Sequence, residues 1–168
     1  MRNTSAEYEV TCLGEVTVRH LHVLSDPASC HFVLEPCLIN PKRATARVRR
    51  SLAMSLDCDL QENQVMTSRC VKFNPFEECS LGDVVLYKHA GAALAAGQAQ
   101  LHAEIADGTS NTLVTVLNKW TFTSKTSRCS KWDISEDAVM ILSEDILCTT
   151  IFSIDGTHGS LLLPKQYR

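Results

Sequence analysis

The 168-residue chain lacks several features that would place it in a class at once. No apolar run approaches the roughly 18 residues that a membrane-spanning helix requires. The first residues, Met1 to Glu7, carry no apolar stretch of the kind found in secretory signals. Glycine and proline number only seven and five, which excludes collagen-like and low-complexity chains. We therefore expect an intracellular folded protein, nuclear or cytoplasmic, without a membrane partner.

Catalytic signatures are also missing. The sequence contains no GxSxG nucleophile elbow, no HExxH zinc motif, no P-loop and no GxGxxG phosphate loop. Asp83 follows Gly82 directly before an apolar run, which is more typical of a turn than of a catalytic acid. We expect a protein that is not an enzyme and needs no cofactor. A Cys/His nucleophile stays open as an alternative, because spacing alone singles out no cysteine.

Cysteine, by contrast, is plentiful, with eight residues. Such a number would allow four disulfides in a secreted protein. Because the chain shows no signal and is long enough to build a core, reduced thiols that pack as small hydrophobic side chains are the better interpretation. No CxxC or HxxxH pair occurs, so a zinc site is the weaker alternative. Its candidate ligands are His20, His22, Cys30 and Cys37.

Charge is nearly balanced over the whole chain, with 16 basic and 19 acidic residues and a net charge of -3, which excludes polyanion binding by bulk charge. One segment departs from this balance, since no acidic residue lies between Glu35 and Asp57. Its cations are Lys42, Arg43, Arg47, Arg49 and Arg50. On a strand, Arg47 and Arg49 would share one face and form a basic ribbon for nucleic-acid phosphates. The opposing interpretation is a solvated edge strand whose charges prevent aggregation.

The dominant hydrophobic period is two, which is typical of β-strands. Strands are predicted over residues 10–23, 30–34, 47–58, 65–73, 84–87, 113–122, 146–154 and 161–163. The alanines of Ala90 to Ile105 favour a helix, but Gly91 and Gly97 oppose it, and we prefer a strand from Gly97 to Ile105. Short strands at spacings of about 8–12 residues, separated by turn signals, predict an all-β, mainly antiparallel fold.

An aromatic set offers a second candidate binding surface. Tyr87, Trp120 and Trp132 lie in or near predicted strands, with Phe122 beside them and the acidic Asp133 next in sequence to Trp132. Aromatic rings of this kind attract methylated ammonium groups through cation–π contacts. Trp132 has polar sequence neighbours and is the ring that we expect to be exposed. The alternative is that these rings fill the core of a small β-protein.

The rhythm of the second half resembles a known family of modules. Residues Leu81 to Tyr87 look like a Gly-Asp strand opening, Gly97 to Ile105 like a second strand, and Leu113 to Trp120 like a strand ending in an aromatic. Asp137 to Ile154 supplies a short apolar run, a polar break and another strand. From about residue 73 to 168, the chain resembles the bromo-adjacent homology modules, which are β-rich and chromatin-associated. The resemblance implies a small β-barrel at residues 73–168. The strand patterns of the first half predict a β-rich subdomain at residues 1–72.

These observations favour a non-catalytic interaction module. Its leading partner is a chromatin or other protein or peptide, bound on the barrel face formed by Tyr87, Trp120, Trp132 and Asp133. The first alternative is a nucleic-acid-binding protein that uses the basic segment at residues 42–50. The second alternative is a Cys/His metal protein or enzyme. The sequence leaves the oligomeric state open.

Overall fold

The computed structural model describes residues 36–74, 77–89, 93–108, 110–126 and 129–163. The strands predicted over residues 10–23 and 30–34 lie outside these ranges. Three of the four candidate zinc ligands, His20, His22 and Cys30, lie outside them as well.

The described residues form eleven β-strands and one α-helix. In chain order the elements are β1 (Cys37–Ile39), β2 (Lys42–Arg43), α1 (Ala46–Leu56), β3 (Val65–Ser68), β4 (Cys70–Lys72), β5 (Glu78–Ser80), β6 (Val84–His89), β7 (Ala93–Ala106), β8 (Asn111–Lys125), β9 (Cys129–Leu142), β10 (Ile146–Asp155) and β11 (His158–Leu162). All pairings between these strands are antiparallel. The prediction of an all-β, mainly antiparallel fold is therefore confirmed.

The strands divide into two sheets. A small sheet has the order β1-β4-β5, and a large sheet has the order β2-β3-β7-β6-β10-β11-β9-β8. Because β8 also pairs with β7, six strands from β6 to β11 form a closed ring of pairings. In such a ring, each strand has its backbone groups paired on both sides, whereas β2 stays an edge of the large sheet.

A hydrophobic cluster lies at the centre of the ring. Every ring strand contributes at least one buried side chain to it: Leu86, Ala96, Trp120, Trp132, Cys148 and Leu161. The large indole of Trp120 passes directly over Gly159 of β11, where a Cβ atom would overlap its six-membered ring. A glycine at this position therefore gives the cluster the room for its largest side chain.

A second cluster lies on the outer face of β6, between the ring and the small sheet. Val85 and Tyr87 of β6 pack there with Leu38, Val71 and Cys79 of the small sheet. The alternate residues of β6 face the centre of the ring, so the strand is buried on both sides. This confirms the sequence prediction that the apolar run Val84 to Tyr87 is a buried strand.

The prediction of a strand over residues 47–58 is wrong, because this segment is the helix α1. Val48 and Leu52 are four residues apart, a spacing that fits one helix face as well as one strand face. A strand would place Met54 on the same buried face as Val48 and Leu52, whereas a helix would not. The Met54 side chain is 79% exposed, as the helix requires. The Thr45 hydroxyl accepts a hydrogen bond from the backbone N–H of Val48 at 3.4 Å and caps the helix. The helix ends at Asp57 in a left-handed conformation.

A third cluster holds α1 against the long β7–β8 hairpin. Leu52 packs there with Ala103 and Ile105 of β7 and Val114 of β8. The strand preferred for the Ala-rich segment is confirmed, since β7 runs from Ala93 to Ala106. Gly97 suits this strand because a Cβ there would crowd the neighbouring Leu117.

The region around residue 73 differs from the sequence prediction in how its strands are divided. The segment predicted as one strand over residues 65–73 is two strands, β3 and β4, which pair in different sheets. The domain boundary before residue 73 stays a prediction; β3 pairs across it with β7, and β4 pairs across it with β5.

Within the described ranges, the α-helix of 11 residues falls well short of a membrane span.

The contact between Trp120 and Gly159 makes the first prediction. Gly159→Ala places a methyl group inside the space of the buried indole, and we expect it to lower the free energy of unfolding by about 3 kcal/mol. Gly156→Ala is the matched control in the same hairpin, where a Cβ meets nothing within 4 Å. Its left-handed backbone should cost only about 1 kcal/mol. Equal losses in urea unfolding of the two variants would contradict this packing.

Candidate functional site

The five cations of the basic segment lie on two neighbouring elements. Lys42 and Arg43 form the edge strand β2, which pairs with Thr67 and Met66 of β3, and both side chains are exposed. Arg47 and Arg50 project from the outward side of α1 and are exposed too. Together with Arg49, these residues define what we call the basic face. The prediction that Arg47 and Arg49 share a strand face is wrong, because their positions differ by about 200° around a helix.

The electrostatics of the basic face are uniformly positive. The first turn of α1 contains no acidic residue, although a helix N-terminus favours negative charge. None of the five cations forms an ion pair with another described residue. Arg49 is half-buried, and its Nε atom is buried without a hydrogen-bond partner among the described residues. The face therefore presents positive charge that no acidic side chain among the described residues pairs with.

The aromatic set occupies the core. Tyr87 and Trp120 are completely buried, and Trp132, which we expected to be exposed, is only 4% exposed. The reason lies in the cross-strand neighbours of Trp132, since it pairs with Gly159 on one side and Phe122 on the other. Its indole N–H donates a hydrogen bond to the Ser130 hydroxyl at 2.6 Å. In this arrangement of the strands, the three buried rings are not accessible to a ligand.

A different aromatic surface borders the buried rings. Ile154, Gly159, Trp132 and Phe122 pair successively across β10, β11, β9 and β8 and so form one row. The two ends of the row are exposed, Phe122 by 53% and Ile154 by 48%. Phe122 packs edge-on against Trp132 with 5.3 Å between ring centroids. We call these four residues the aromatic row.

Asp133 lies on the face of β9 opposite the aromatic row, because it follows Trp132 directly along the strand. Its exposed carboxylate contacts Nδ1 of His158 at 2.8 Å, and the two residues are cross-strand partners on β9 and β11. Asp133 is therefore a surface residue, but the structure does not bring it to the same face as the aromatic rings. The sequence identified Phe122 and Asp133, but the exposure of Ile154 depends on pairing that the sequence does not show.

The zinc hypothesis is only partly within the described residues. Cys37 lies on β1 and is exposed. Among the described residues, no group of three or more His, Cys, Asp or Glu side chains is placed to hold a metal ion. The zinc site built on His20, His22 and Cys30 stays a prediction.

Five of the described cysteines are free thiols: Cys37, Cys58, Cys70, Cys79 and Cys148. Burial raises the pKa of the Cys148 thiol to about 12 and raises the pKa of Cys79 still further above its usual range. The pKa of Cys70 is also raised, chiefly by burial. A thiol must lose its proton to act as a nucleophile, so these three are poor candidates for Cys/His catalysis.

The sequence analysis missed a buried polar chain. His102 of β7 and Thr115 of β8 are cross-strand partners, with 3.0 Å between Nδ1 and Oγ1. The Thr115 hydroxyl in turn lies 2.8 Å from the hydroxyl of Ser143, in the 3₁₀ turn Ser143–Asp145 that follows β9. All three side chains are fully buried. These side-chain contacts connect the end of β9 to the β7–β8 hairpin.

His102 is held in its neutral form. Burial lowers its pKa to about 4, and the nearby backbone carbonyl of Cys79 opposes that shift in part. Its Nε2 atom is buried and has no partner in hydrogen-bonding geometry among the described residues. A buried donor or acceptor without a partner costs free energy, so the neutral ring tolerates this site better than the imidazolium would.

Comparisons with known proteins add no relative. No protein-family model matches the chain, and neither the curated proteins nor the solved structures that were searched contain a match.

The neutral His102 predicts an acid-sensitive stability. Below about pH 6.5 the unfolded chain binds a proton at this residue, whereas the folded protein does not until about pH 4. The stabilisation is therefore complete above pH 6.5 and is lost as the pH falls toward 4. His102→Gln keeps a hydrogen-bonding group beside Thr115 and removes the titration. From about pH 7.5 to pH 5, the native sequence should lose about 2 kcal/mol more than the variant.

Urea unfolding of both proteins at the two pH values measures this difference directly. Carboxylates titrate alike in the two proteins, so their contribution cancels in the comparison. Equal losses of unfolding free energy would show that His102 does not couple folding to pH.

Proposed function

We propose that this protein is a non-catalytic module that binds nucleic acid through the basic face. The observation that supports the proposal is the concentration of Lys42, Arg43, Arg47, Arg49 and Arg50 on β2 and the first turns of α1, four of them exposed and none ion-paired within the described residues. Of the 16 basic residues of the chain, 11 remain elsewhere against 19 acidic ones. The basic face is thus a local reversal of the protein's overall charge.

Uncompensated cations of this kind bind phosphates without reading sequence. Each phosphate that a Lys or Arg side chain neutralises releases condensed counterions, so affinity falls as salt rises. The free N–H groups and the dipole at the start of α1 favour the same anionic partner. The net negative charge of the remaining surface repels the phosphate backbone and would orient it toward the basic face.

In this account the strand ring is the scaffold. The proposal treats the six strands as a small β-barrel, whose long β7 and β8 strands carry the surface on which α1 packs. Leu52 and Val48 fix the inward side of α1 against that surface, and this leaves Arg47 and Arg50 outward. From the resemblance of residues 73–168, we also propose a relation to the bromo-adjacent homology modules and with it a chromatin setting.

A paired-variant binding experiment tests the basic face. Arg47→Gln with Arg50→Gln removes two exposed charges from a helix surface that contributes nothing to the core. We expect affinity for a short DNA duplex at low salt to fall roughly 10-fold, and the slope of log affinity against log salt to shrink by about 2. Fluorescence anisotropy at several salt concentrations measures both quantities.

The matched control removes two cations from the ring. Lys119→Gln with Lys131→Gln changes the net charge equally, at exposed positions on β8 and β9. This control should leave the affinity and the salt slope nearly unchanged. If both double variants weaken binding equally, or if the unaltered protein does not bind the duplex, the proposal fails.

The aromatic row favours a second candidate function, the binding of a protein or peptide partner. Here the supporting observation is the exposure of Phe122 and Ile154 at the ends of one cross-strand row. Exposed aromatic and aliphatic side chains grouped in this way are common at interaction sites. Phe122 offers the ring for a cation–π contact, in place of the buried Tyr87, Trp120 and Trp132.

A trimethyllysine peptide tests this second candidate. Titration into isotope-labelled protein should shift the amide signals of Phe122 and Ile154 in a saturable manner, and Phe122→Ser should abolish the shifts. Because Phe122 is half exposed, the variant should keep its fold, which its amide spectrum will show. Shifts that persist in Phe122→Ser, or no shifts at all, would remove the aromatic row as a binding site.

A further inference from the structure

A concave cavity of about 420 Å³ opens near the end of the β7–β8 hairpin. It lies where β9 ends and the 3₁₀ turn Ser143–Asp145 begins. Its lining residues are Pro36, Asn111, Thr112, Leu113, Leu142 and Glu144. We call this cavity the acidic pocket.

The acidic pocket lies at the edge of β8, beyond the point where its pairing with β9 ends. The lining residue Leu142 is the cross-strand partner of Val114, which packs in the cluster beneath α1, whereas Leu113 points to the other face of the sheet. The pocket is therefore lined from both faces of the sheet at this edge.

Part of the pocket lining is apolar, namely Pro36, Leu113 and Leu142. Leu113 and Pro36 are half-buried, and Leu142 is 42% exposed although it is a large aliphatic side chain. Aliphatic side chains that remain accessible within a concavity provide the contact area that a bound apolar group uses.

One carboxylate lines the pocket, and a second lies beside it. Glu144 lines the pocket itself, and Glu104 is the cross-strand partner of Leu113 on the same face. The side-chain amide of Asn111 donates a hydrogen bond to Oε1 of Glu104 at 2.7 Å and so holds that carboxylate beside the pocket. None of the lining residues within the described ranges is cationic. The local charge is therefore negative beside a hydrophobic surface.

The pocket wall is fixed by buried hydrogen bonds. Ser143 lies between the lining residues Leu142 and Glu144, and its hydroxyl contacts Thr115 at 2.8 Å. The Thr115 hydroxyl also lies 3.0 Å from Nδ1 of His102, so hydrogen bonds connect the turn to two strands of the ring. The site is thus preformed, which reduces the entropy that binding must overcome.

From this chemistry we infer that the acidic pocket receives one lysine or arginine side chain from a protein partner. The aliphatic stem would lie on Leu113 and Leu142, and the cationic head would reach Glu144 and Glu104. Lys and Arg combine these two properties, since they bury their methylene stems while the charged end stays near water or a carboxylate. The inference is independent of nucleic-acid binding, because it uses neither α1 nor β2.

A blocked short peptide with one central lysine, otherwise glycine and serine, is the probe. Titrated into isotope-labelled protein, it should produce saturable amide shifts at Asn111, Leu113 and Glu144. A peptide with glutamate in place of lysine should produce none. Glu144→Gln should weaken lysine-peptide binding about 5-fold, which is the loss of one accessible charge pair.

The matched control is Glu136→Gln, which removes an exposed carboxylate about 20 Å away along β9. It should leave the lysine-peptide affinity unchanged. Equal weakening by the two variants, equal shifts from the glutamate peptide, or no saturable shift at the pocket amides would overturn the inference. Duplex DNA binding measured on Glu144→Gln should equal that of the unaltered protein, so failure of this site and failure of the basic face are distinguishable.

Discussion

The packing of Trp120 over Gly159 is the constraint on which the rest of the structure depends. This contact fills the centre of the six-strand ring and requires that β11 carry no side chain at that position. With the ring closed, β7 and β8 extend beyond it as a long hairpin. One face of that hairpin carries α1 and the basic face, and the first residues of β8 border the acidic pocket. Both surfaces therefore depend on a core contact that neither of them touches.

Much of the strand content was predictable because period two is explicit in the sequence. The buried strand β6 and the strand β8 each show a clear apolar pattern, and the glycine of β7 argued correctly against a helix. The helix α1 was not predictable in this way, because Val48 and Leu52 satisfy both periods. What decides between them is tertiary packing, since the third cluster accepts Leu52 and leaves Met54 in solvent.

The candidate sites show the same division between local and long-range information. The positive charge of residues 42–50 is visible in the sequence, but its display on a helix and an edge strand is not. Trp132 has polar sequence neighbours, yet its burial follows from Phe122 and Gly159 across the strands. The chain His102–Thr115–Ser143 joins residues that are distant in sequence, so no spacing rule could reveal it.

An amide NMR titration with a short DNA duplex at two salt concentrations tests the central claim most directly. The account predicts salt-sensitive shifts that cluster from Ala44 to Ser51, around the cap and first turns of α1. Shifts confined to the ring strands, or a spectrum that does not change, would contradict the claim that the basic face binds nucleic acid.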